Sequence, residues 1–195
     1  MILSISLNQQ SLISHSSKPM DNFEISKILD TFEIIVDTRE QTTNRSIDRY
    51  NQFGVPWKRQ TLDYGDYSYN VKIDGKNLLT GRRIKGLCVI ERKQNLDELA
   101  TCLTRGRDRF EREFMRASDN NARCYLLIEN GSWELLIKGR YRSKFKPKAF
   151  LASLAAWQVR YGLNVVFCDM SVSGILIKEI LYRDIKERLE RGEFG

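Results

Sequence analysis

The residues best suited to chemistry lie between Val89 and Asp97, where an apolar run ends in consecutive charges. Glu91, Arg92 and Lys93 follow the apolar residues directly, and Asp97 comes four positions after the lysine. Successive side chains of a strand point to opposite faces, so Glu91 and Lys93 would share one face. A carboxylate and an ammonium group that project together suit a divalent metal ion and a phosphate. The stretch therefore predicts the chemistry of a nuclease.

Two further acids sit next to apolar segments. Asp37 ends the run Ile34–Val36, and Asp66 follows Gly65, a residue that allows a tight turn of the backbone. Magnesium prefers hard oxygen ligands, commonly one or two carboxylates together with water and substrate phosphate. Two such ions about 3.5–4 Å apart can hold both the attacking and the leaving oxygen of a phosphodiester. Asp37, Asp66 and Glu91 are therefore candidate ligands.

These segments, taken in order, resemble the GD…ERKxxxD signature of a known family. The matching residues are Asp37-Thr38-Arg39-Glu40, Gly65-Asp66, and Glu91-Arg92-Lys93 with Asp97. The family is the nuclease domain of XPF/Hef-type structure-specific endonucleases, within the PD-(D/E)XK restriction-endonuclease-like superfamily. The resemblance covers residues 33–190, and the order of its elements is fairly specific.

The resemblance implies roles for the matching residues. Asp66 and Glu91 are expected to be ligands of Mg²⁺ or Mn²⁺, with Asp37 in the same acidic cluster, and Lys93 is expected to be the catalytic lysine. The remaining motif residues, Arg39, Glu40, Arg92 and Asp97, are expected to support the site.

The chain also departs from the family pattern. The stretch between Asp66 and Glu91 is long, and Asp74-Gly75 within it favours a tight turn between two strands of a hairpin. Glu111 stands where the family often has a glutamine. The chain ends near residue 195, and we expect a partner subunit to supply the helix-hairpin-helix DNA-binding domain that most relatives append.

Each motif residue also has a purely structural interpretation. Asp97 could be a favourable charge in the first turn of a helix that Asn95 caps. Glu91 and Lys93 could be a solvated strand end, and Asp66 could belong to an ordinary turn. Glu129, at the end of the next apolar strand, is expected to be structural rather than catalytic.

The charge of the chain suits a polyanionic partner. The 195 residues carry a net charge of +7, with a sequence pI near 9.3. Basic side chains bind phosphates without reading base sequence. One basic segment follows the motif and contains the arginines expected to contact DNA: Arg105, Arg107, Arg109, Arg112 and Arg116. A second basic segment runs from Lys138 to Lys148. For these segments, pairing of the basic side chains with nearby acids such as Glu111 and Glu113 remains an alternative to DNA contact.

Composition excludes several other classes of protein. The four cysteines are far apart with no CxxC pair, and the one histidine is His15, which argues against a zinc finger. Apolar surroundings favour reduced thiols in a cytosolic protein, associated with the nucleoid or nucleus according to the host. No stretch is long enough for a membrane span. We expect residues 1–30 to be a weakly ordered arm and residues 31–195 to be the nuclease domain.

Hydrophobic periodicity predicts an α/β fold with a central mixed β-sheet flanked by helices, and the family resemblance implies that this fold is restriction-endonuclease-like. The helix from Lys148 to Tyr161 is apolar on all sides, which indicates either a central core helix or contact with a second subunit. Relatives dimerise through late helices, so a homodimer is one expectation. The predicted strands lie at about 33–37, 57–63, 86–93, 123–129 and 163–168, and the helices at about 44–53, 95–103, 106–118, 147–161 and 172–191.

Taken together, these features predict a metal-dependent DNA endonuclease that acts on branched, flap or fork DNA in repair or recombination. One alternative is a non-catalytic DNA-binding subunit of a nuclease complex, although the acid and lysine positions are all filled. Another is a Holliday-junction resolvase or a restriction-type nuclease on the same fold.

Overall fold

A six-stranded mixed sheet, with strand order β2-β1-β3-β6-β7-β8, forms the centre of the protein. The structure is a computed structural model that describes residues 20–80 and 86–194. Strands β4 and β5 form a separate hairpin. The strands are β1 (Glu33–Val36), β2 (Trp57–Arg59), β3 (Tyr67–Asn70), β4 (Lys72–Ile73), β5 (Lys76–Asn77), β6 (Cys88–Lys93), β7 (Arg123–Glu129) and β8 (Asn164–Cys168).

The strand directions bring the acids of the motif to one edge of the sheet. Strand β1 runs parallel to β2, and β6, β7 and β8 run parallel to one another. Strand β3 runs antiparallel to both β1 and β6, between which it lies. The carboxyl ends of β1, β6 and β7 therefore meet the amino end of β3. Asp37, Asp66, Glu91 and Glu129 all lie at or near this edge.

Helices cover both faces of the sheet, as the sequence predicts. Helices α1, α2 and α7 pack together on one face, and α3, α4 and α6 pack on the other. In the segments that the structure describes, no helix is long and apolar enough to cross a membrane. The helices are α1 (Asn22–Leu29), α2 (Asn44–Asn51), α3 (Leu96–Thr104), α4 (Arg107–Asp119), α5 (Trp133–Ile137), α6 (Pro147–Tyr161) and α7 (Ser173–Glu190).

Several local predictions are confirmed by the elements observed. The apolar stripe predicted for the last helix, formed by Ile177, Leu181, Ile185 and Leu189, is fully buried. The β4–β5 hairpin turns at Asp74-Gly75, where both residues have a positive φ, as the favoured two-residue turn requires. Turn chemistry and periodicity therefore determine most element positions in this chain.

Three segments differ from the predicted elements. Strand β2 is only three residues long because it pairs with β1 alone at the edge of the sheet. Helix α6 buries a single face, with Phe150, Leu154 and Trp157 inside and the opposite side exposed. Helix α1 occupies Asn22–Leu29, within the segment expected to be a weakly ordered arm, because its buried isoleucines pack next to α7. Residues 1–19 of that predicted arm lie outside the described residues.

A buried carboxylate ties three elements together on one side of β6. Glu129 is completely buried and accepts hydrogen bonds from Arg49 Nε at 2.9 Å and Arg92 Nη1 at 3.0 Å. Glu40 Oε1 accepts a hydrogen bond from the Tyr67 hydroxyl at 2.9 Å and lies 3.5 Å from Arg92 Nη2. This Glu129 network fixes α2, β6 and β7 relative to one another, and gives Glu129 the structural position that the sequence suggested.

Removing the central carboxylate should destabilise the fold strongly. In Glu129→Ala, Arg49 loses its buried partner, and we expect the free energy of unfolding to fall by about 3–5 kcal/mol. Chemical denaturation followed by circular dichroism measures this change. The control is Glu134→Ala, which removes an exposed ion pair with Lys138 and should cost at most about 0.5 kcal/mol. Equal midpoints for the two variants would contradict the role of the Glu129 network.

Candidate active site

A polar cleft of about 700 Å³ opens at the sheet edge where the motif residues meet. It contains Asp66 and Glu91, and it is lined from both sides by residues that follow β1 and by residues of α2, α3 and α4. Its acids are Glu40, Asp66, Glu91, Glu98 and Glu113, and its bases are Arg39, Arg45, Arg49, Arg92 and Arg109.

Asp66 is held in the cleft by its own backbone. Its N–H donates to the carbonyl of Ile90 at 2.9 Å, and its carbonyl accepts from the N–H of Asp37 at 2.8 Å. Its carboxylate Oδ2 accepts from the backbone N–H of Arg92 at 2.8 Å. Gly65, with φ +72°, precedes it, and a Cβ at that position would overlap the Val89 side chain. A glycine is therefore required for Asp66 to pass between the two strands.

Glu91 and Lys93 lie on the same face of β6 and contact each other. Lys93 Nζ donates to Glu91 Oε1 at 2.5 Å, and both side chains are almost fully buried. The ammonium also lies 4.8 Å from the ring centroid of Phe110, which is close enough for a cation–π interaction. Arg92, one residue between them, turns to the other side of the strand and joins the Glu129 network. The alternation predicted from the sequence is therefore observed.

The carboxylates of the cleft lie close enough to one another to shift their pKa values. Burial raises the pKa of Asp66 well above its ordinary value, and the neighbouring charge of Glu91 raises it further. Burial and Glu91 also raise the pKa of Glu113. Burial alone would lower the pKa of Lys93, but the charges of Glu91 and Asp66 outweigh it and keep the ammonium protonated. The carboxylates thus repel one another in a partly desolvated cleft, which favours the binding of a cation.

The donors present fit a hard divalent cation. Within residues 20–80 and 86–194, no three His, Cys, Asp or Glu side chains are close enough to form a complete protein cage for a metal. Asp66 and Glu91 offer carboxylate oxygens only, and the cleft around them is polar and open. Magnesium is commonly bound by one or two carboxylates, with water and substrate phosphate completing its coordination. The pair therefore matches Mg²⁺ or Mn²⁺ better than a metal that requires four protein ligands.

Asp37 lies at the same sheet edge but faces other partners. Its Oδ1 accepts from Arg39 N and Nε, both at 2.7 Å, and its Oδ2 accepts from the Leu62 N–H at 2.6 Å. The side chain is 1% exposed and does not line the cleft. These contacts differ from the metal-ligand position expected of Asp37, because its lone pairs already hold the segment after β1 against Leu62. Arg39 and Glu40, expected to support the site, do line the cleft.

Asp97, the last residue of the motif, also lies apart from Asp66 and Glu91. It stands in the first turn of α3, whose N-cap is Asn95, as one interpretation of the sequence proposed. Its carboxylate accepts from the backbone N–H groups of Arg142 and Ser143 at 2.7 and 2.8 Å. Asp97 therefore anchors a distant loop rather than extending the acidic cluster.

The five arginines predicted to contact DNA do not share one surface. Arg109 lines the cleft, whereas Arg105 lines a separate groove. Arg107 donates to Ser153 Oγ at 3.1 Å and stacks over Trp157, so it joins α4 to α6. The last two, Arg112 and Arg116, are exposed on α4. Glu111, considered as an alternative partner for these arginines, pairs instead with Arg160 on α6.

Two cleft acids, Glu98 and Glu113, were missed from the sequence. Glu98 Oε1 lies 4.0 Å from Lys93 Nζ, and its other oxygen, Oε2, accepts from the Gln94 N–H at 2.7 Å. Glu113 follows Arg109 by four residues, which places both on one face of α4. That spacing is present in the sequence, but only the packing of α4 shows that this face borders the cleft.

Two solved structures resemble this chain in fold. XPF from Aeropyrum pernix is 21% identical, with a TM-score of 0.52, over 84% of this chain and 62% of that one. XPF from Aeropyrum pernix in a complex with DNA is 24% identical, with a TM-score of 0.54, over 77% of this chain and 63% of that one. This chain thus spans less than two thirds of either relative. A comparison with curated proteins gives no match.

The family model for the ERCC4 domain matches residues 36–173, which include every residue of the proposed motif. The sheet order, the flanking helices and the likeness to XPF agree with the restriction-endonuclease-like fold predicted from the sequence. The chain therefore belongs to the ERCC4 domain family and has an XPF-type nuclease domain.

Proposed function

We propose that this chain is a metal-dependent DNA endonuclease that hydrolyses phosphodiester bonds. The observation that carries the proposal is the convergence of Asp66 and Glu91 in one polar cleft, with Lys93 bonded to Glu91, within a matched ERCC4 domain. The net charge of +7 suits a nucleic-acid substrate. Branched, flap or fork DNA is the substrate class that the family resemblance suggests.

Asp66 and Glu91 would hold Mg²⁺ or Mn²⁺. When bound, such an ion supplies positive charge against the phosphate and Lewis acidity for hydrolysis. Asp37 is not placed among the ligands here, since its oxygens accept from Arg39 and Leu62. It acts instead through the backbone, because its N–H holds the Asp66 carbonyl.

Lys93 would stabilise the charge that develops on the scissile phosphate. Its ammonium is already placed beside Glu91 and Phe110, so little reorganisation is needed when the substrate binds. Arg109, exposed at the border of the cleft, is positioned to contact a neighbouring phosphate. Arg92 is committed to Glu129 and Glu40 and serves to fix the strand that carries Glu91 and Lys93.

The proposal is tested by a cleavage assay on flap, fork, junction and linear DNA, each with Mg²⁺ and with a chelator. We expect cleavage of branched DNA with Mg²⁺ and none with the chelator, because Asp66 and Glu91 would hold the ion only together with water and substrate phosphate. Cleavage that persists with chelator would contradict the metal requirement. DNA binding without cleavage of any substrate would indicate the non-catalytic subunit, and a preference for four-way junctions would indicate a resolvase.

Neutralising either proposed ligand should separate cleavage from binding. We expect Asp66→Asn and Glu91→Gln each to lower the cleavage rate by at least about 10²-fold, because the charge that attracts the cation is lost. DNA affinity, measured by fluorescence anisotropy, should change little. The matched control is Asp63→Asn, an exposed acid that does not line the cleft. A ligand variant that cleaves at the rate of the control would contradict the assignment.

We also propose that the outer face of α6 contacts a second copy or a partner subunit. Leu151, Ala155 and Val159 follow one another at intervals of four, so they form one exposed stripe, and Val159 is 90% exposed. A large apolar side chain this exposed on a regular helix is favoured where another surface covers it. A second copy would cover the stripe with the same apolar side chains.

The oligomer is tested by light scattering of the purified chain. We expect a dimer, and we expect Val159→Asp to shift the mass towards the monomer, since a buried carboxylate in an apolar contact is unfavourable. Val172→Asp is the control, because Val172 is exposed but lies outside α6. A wild-type chain that is a monomer at tens of micromolar would contradict the homodimer and leave a different partner subunit as the occupant.

A further inference from the structure

A second groove, of about 900 Å³, lies beside the candidate active site and is lined mainly by basic and small polar residues. It runs between the end of α3 and the loop that leads into α6. Its cations are Arg105, Arg142, Lys144 and Lys146. We call this surface, with Thr101, Thr104, Ser143, Phe145 and Ala149, the basic groove.

Three cations of the basic groove are available to a ligand. Arg105, Lys144 and Lys146 are exposed, and none of them forms an ion pair with any other residue that the structure describes. The one acid of the groove is Asp97, and its oxygens accept from Arg142 Nε and from two backbone N–H groups. The field of the groove is therefore positive, with its single negative charge already compensated.

The loop that carries these lysines is held from both sides. Asp97 binds it through Arg142 and Ser143 on the side of α3. On the other side the Tyr141 hydroxyl donates to the Phe145 carbonyl at 2.6 Å. Both of these aromatic rings pack on Phe150 of α6. The lysines thus project from an ordered loop, which reduces the entropy lost when they bind a ligand.

The N-terminus of helix α6 adds partial positive charge to the groove. Its N-cap, Lys146, makes no side-chain capping bond, and the first turn contains no acid. Ala149, in that first turn, lines the groove. Backbone N–H groups at a helix start and the helix dipole both favour a nearby anion. They add to the lysine charges in the same place.

The basic groove adjoins the cleft through consecutive residues. Asp97 lines the groove, and Glu98, the next residue of α3, lines the cleft and lies 4.0 Å from Lys93. A polyanion with regularly repeated phosphates can therefore occupy both surfaces at once. A small anion could occupy only one of the two surfaces.

We propose that the basic groove binds the sugar-phosphate backbone of the DNA substrate beside the scissile bond, and that Asp97 is a positioning residue for the loop that carries the lysines. This inference rests on the proposed nuclease function and names a binding surface for its substrate. The contacts are to phosphates, so the groove contributes affinity and orientation without base preference.

The test compares Lys144→Ala/Lys146→Ala with Lys72→Ala/Lys76→Ala, a matched pair that removes the same charge from the β4–β5 hairpin. Binding of a short labelled duplex is measured by fluorescence anisotropy over a range of salt concentrations. For the groove pair we expect Kd to rise on the order of tenfold and the salt slope to fall by about 2, as for the loss of two phosphate contacts. KM for cleavage should rise far more than kcat falls. The hairpin pair should match the wild type.

Asp97→Ala tests the positioning role by a double-mutant cycle. If Asp97 acts through the loop, its effect on Kd and that of the Lys144→Ala/Lys146→Ala pair should be strongly non-additive. Additive effects would contradict the positioning role. Thermal unfolding of each variant shows whether the fold is retained.

The outcomes distinguish the two proposals. A wild-type chain that cleaves DNA, with groove and hairpin variants of equal Kd and salt slope, would overturn the basic groove and leave the nuclease function intact. A wild-type chain that neither binds nor cleaves DNA would overturn both.

Discussion

The site depends on the way the backbone of Asp66 bridges two strands. Its N–H bonds to Ile90 of β6, its carbonyl bonds to Asp37 after β1, and its side chain accepts from Arg92. Asp66 thus connects the segment after β1 to β6, and it also supplies a carboxylate to the site. Gly65 is required beside it, because any side chain there would overlap Val89. The Gly-Asp pair of the motif is therefore required by packing as well as by chemistry.

Buried charges are compensated differently on the two sides of β6. On one side Glu129 is matched by Arg49 and Arg92, so desolvation is compensated by well-formed hydrogen bonds. On the other side the carboxylates outnumber the one nearby lysine, and the pKa of Asp66 is raised by burial and by Glu91. The neutral side keeps the strand rigid, while on the other side the carboxylates of Asp66 and Glu91 repel each other. A bound cation would relieve that repulsion, which is the electrostatic requirement of the proposed chemistry.

Much of the fold could be predicted from the sequence, because periodicity and turn residues act locally. The alternation of Glu91 and Lys93 against Arg92, the apolar stripe of α7 and the Asp74-Gly75 turn all follow from neighbours along the chain. The distant residues that a side chain contacts do not follow from its neighbours along the chain. Asp66 directly precedes β3, and it meets Glu91 because β3 inserts antiparallel between β1 and β6. Asp37 turns to Arg39 and Leu62, and Glu113 reaches the cleft from α4, through contacts that are distant along the chain. Those contacts are set by tertiary packing, which no local pattern specifies.

The separate positions of Asp97 and Glu98 show how one short motif can serve two surfaces. Consecutive residues of an α-helix point about 100° apart, as follows from 3.6 residues per turn. The first turn of α3 therefore presents Glu98 to the cleft beside Lys93 and Asp97 to the loop of the basic groove. Because α3 begins directly after β6, any displacement of that strand would move both surfaces together. The spacing between Lys93 and Asp97 thus connects the proposed active site with the proposed DNA-binding groove, and this connection explains why one acid of the motif lies apart from the proposed metal ligands.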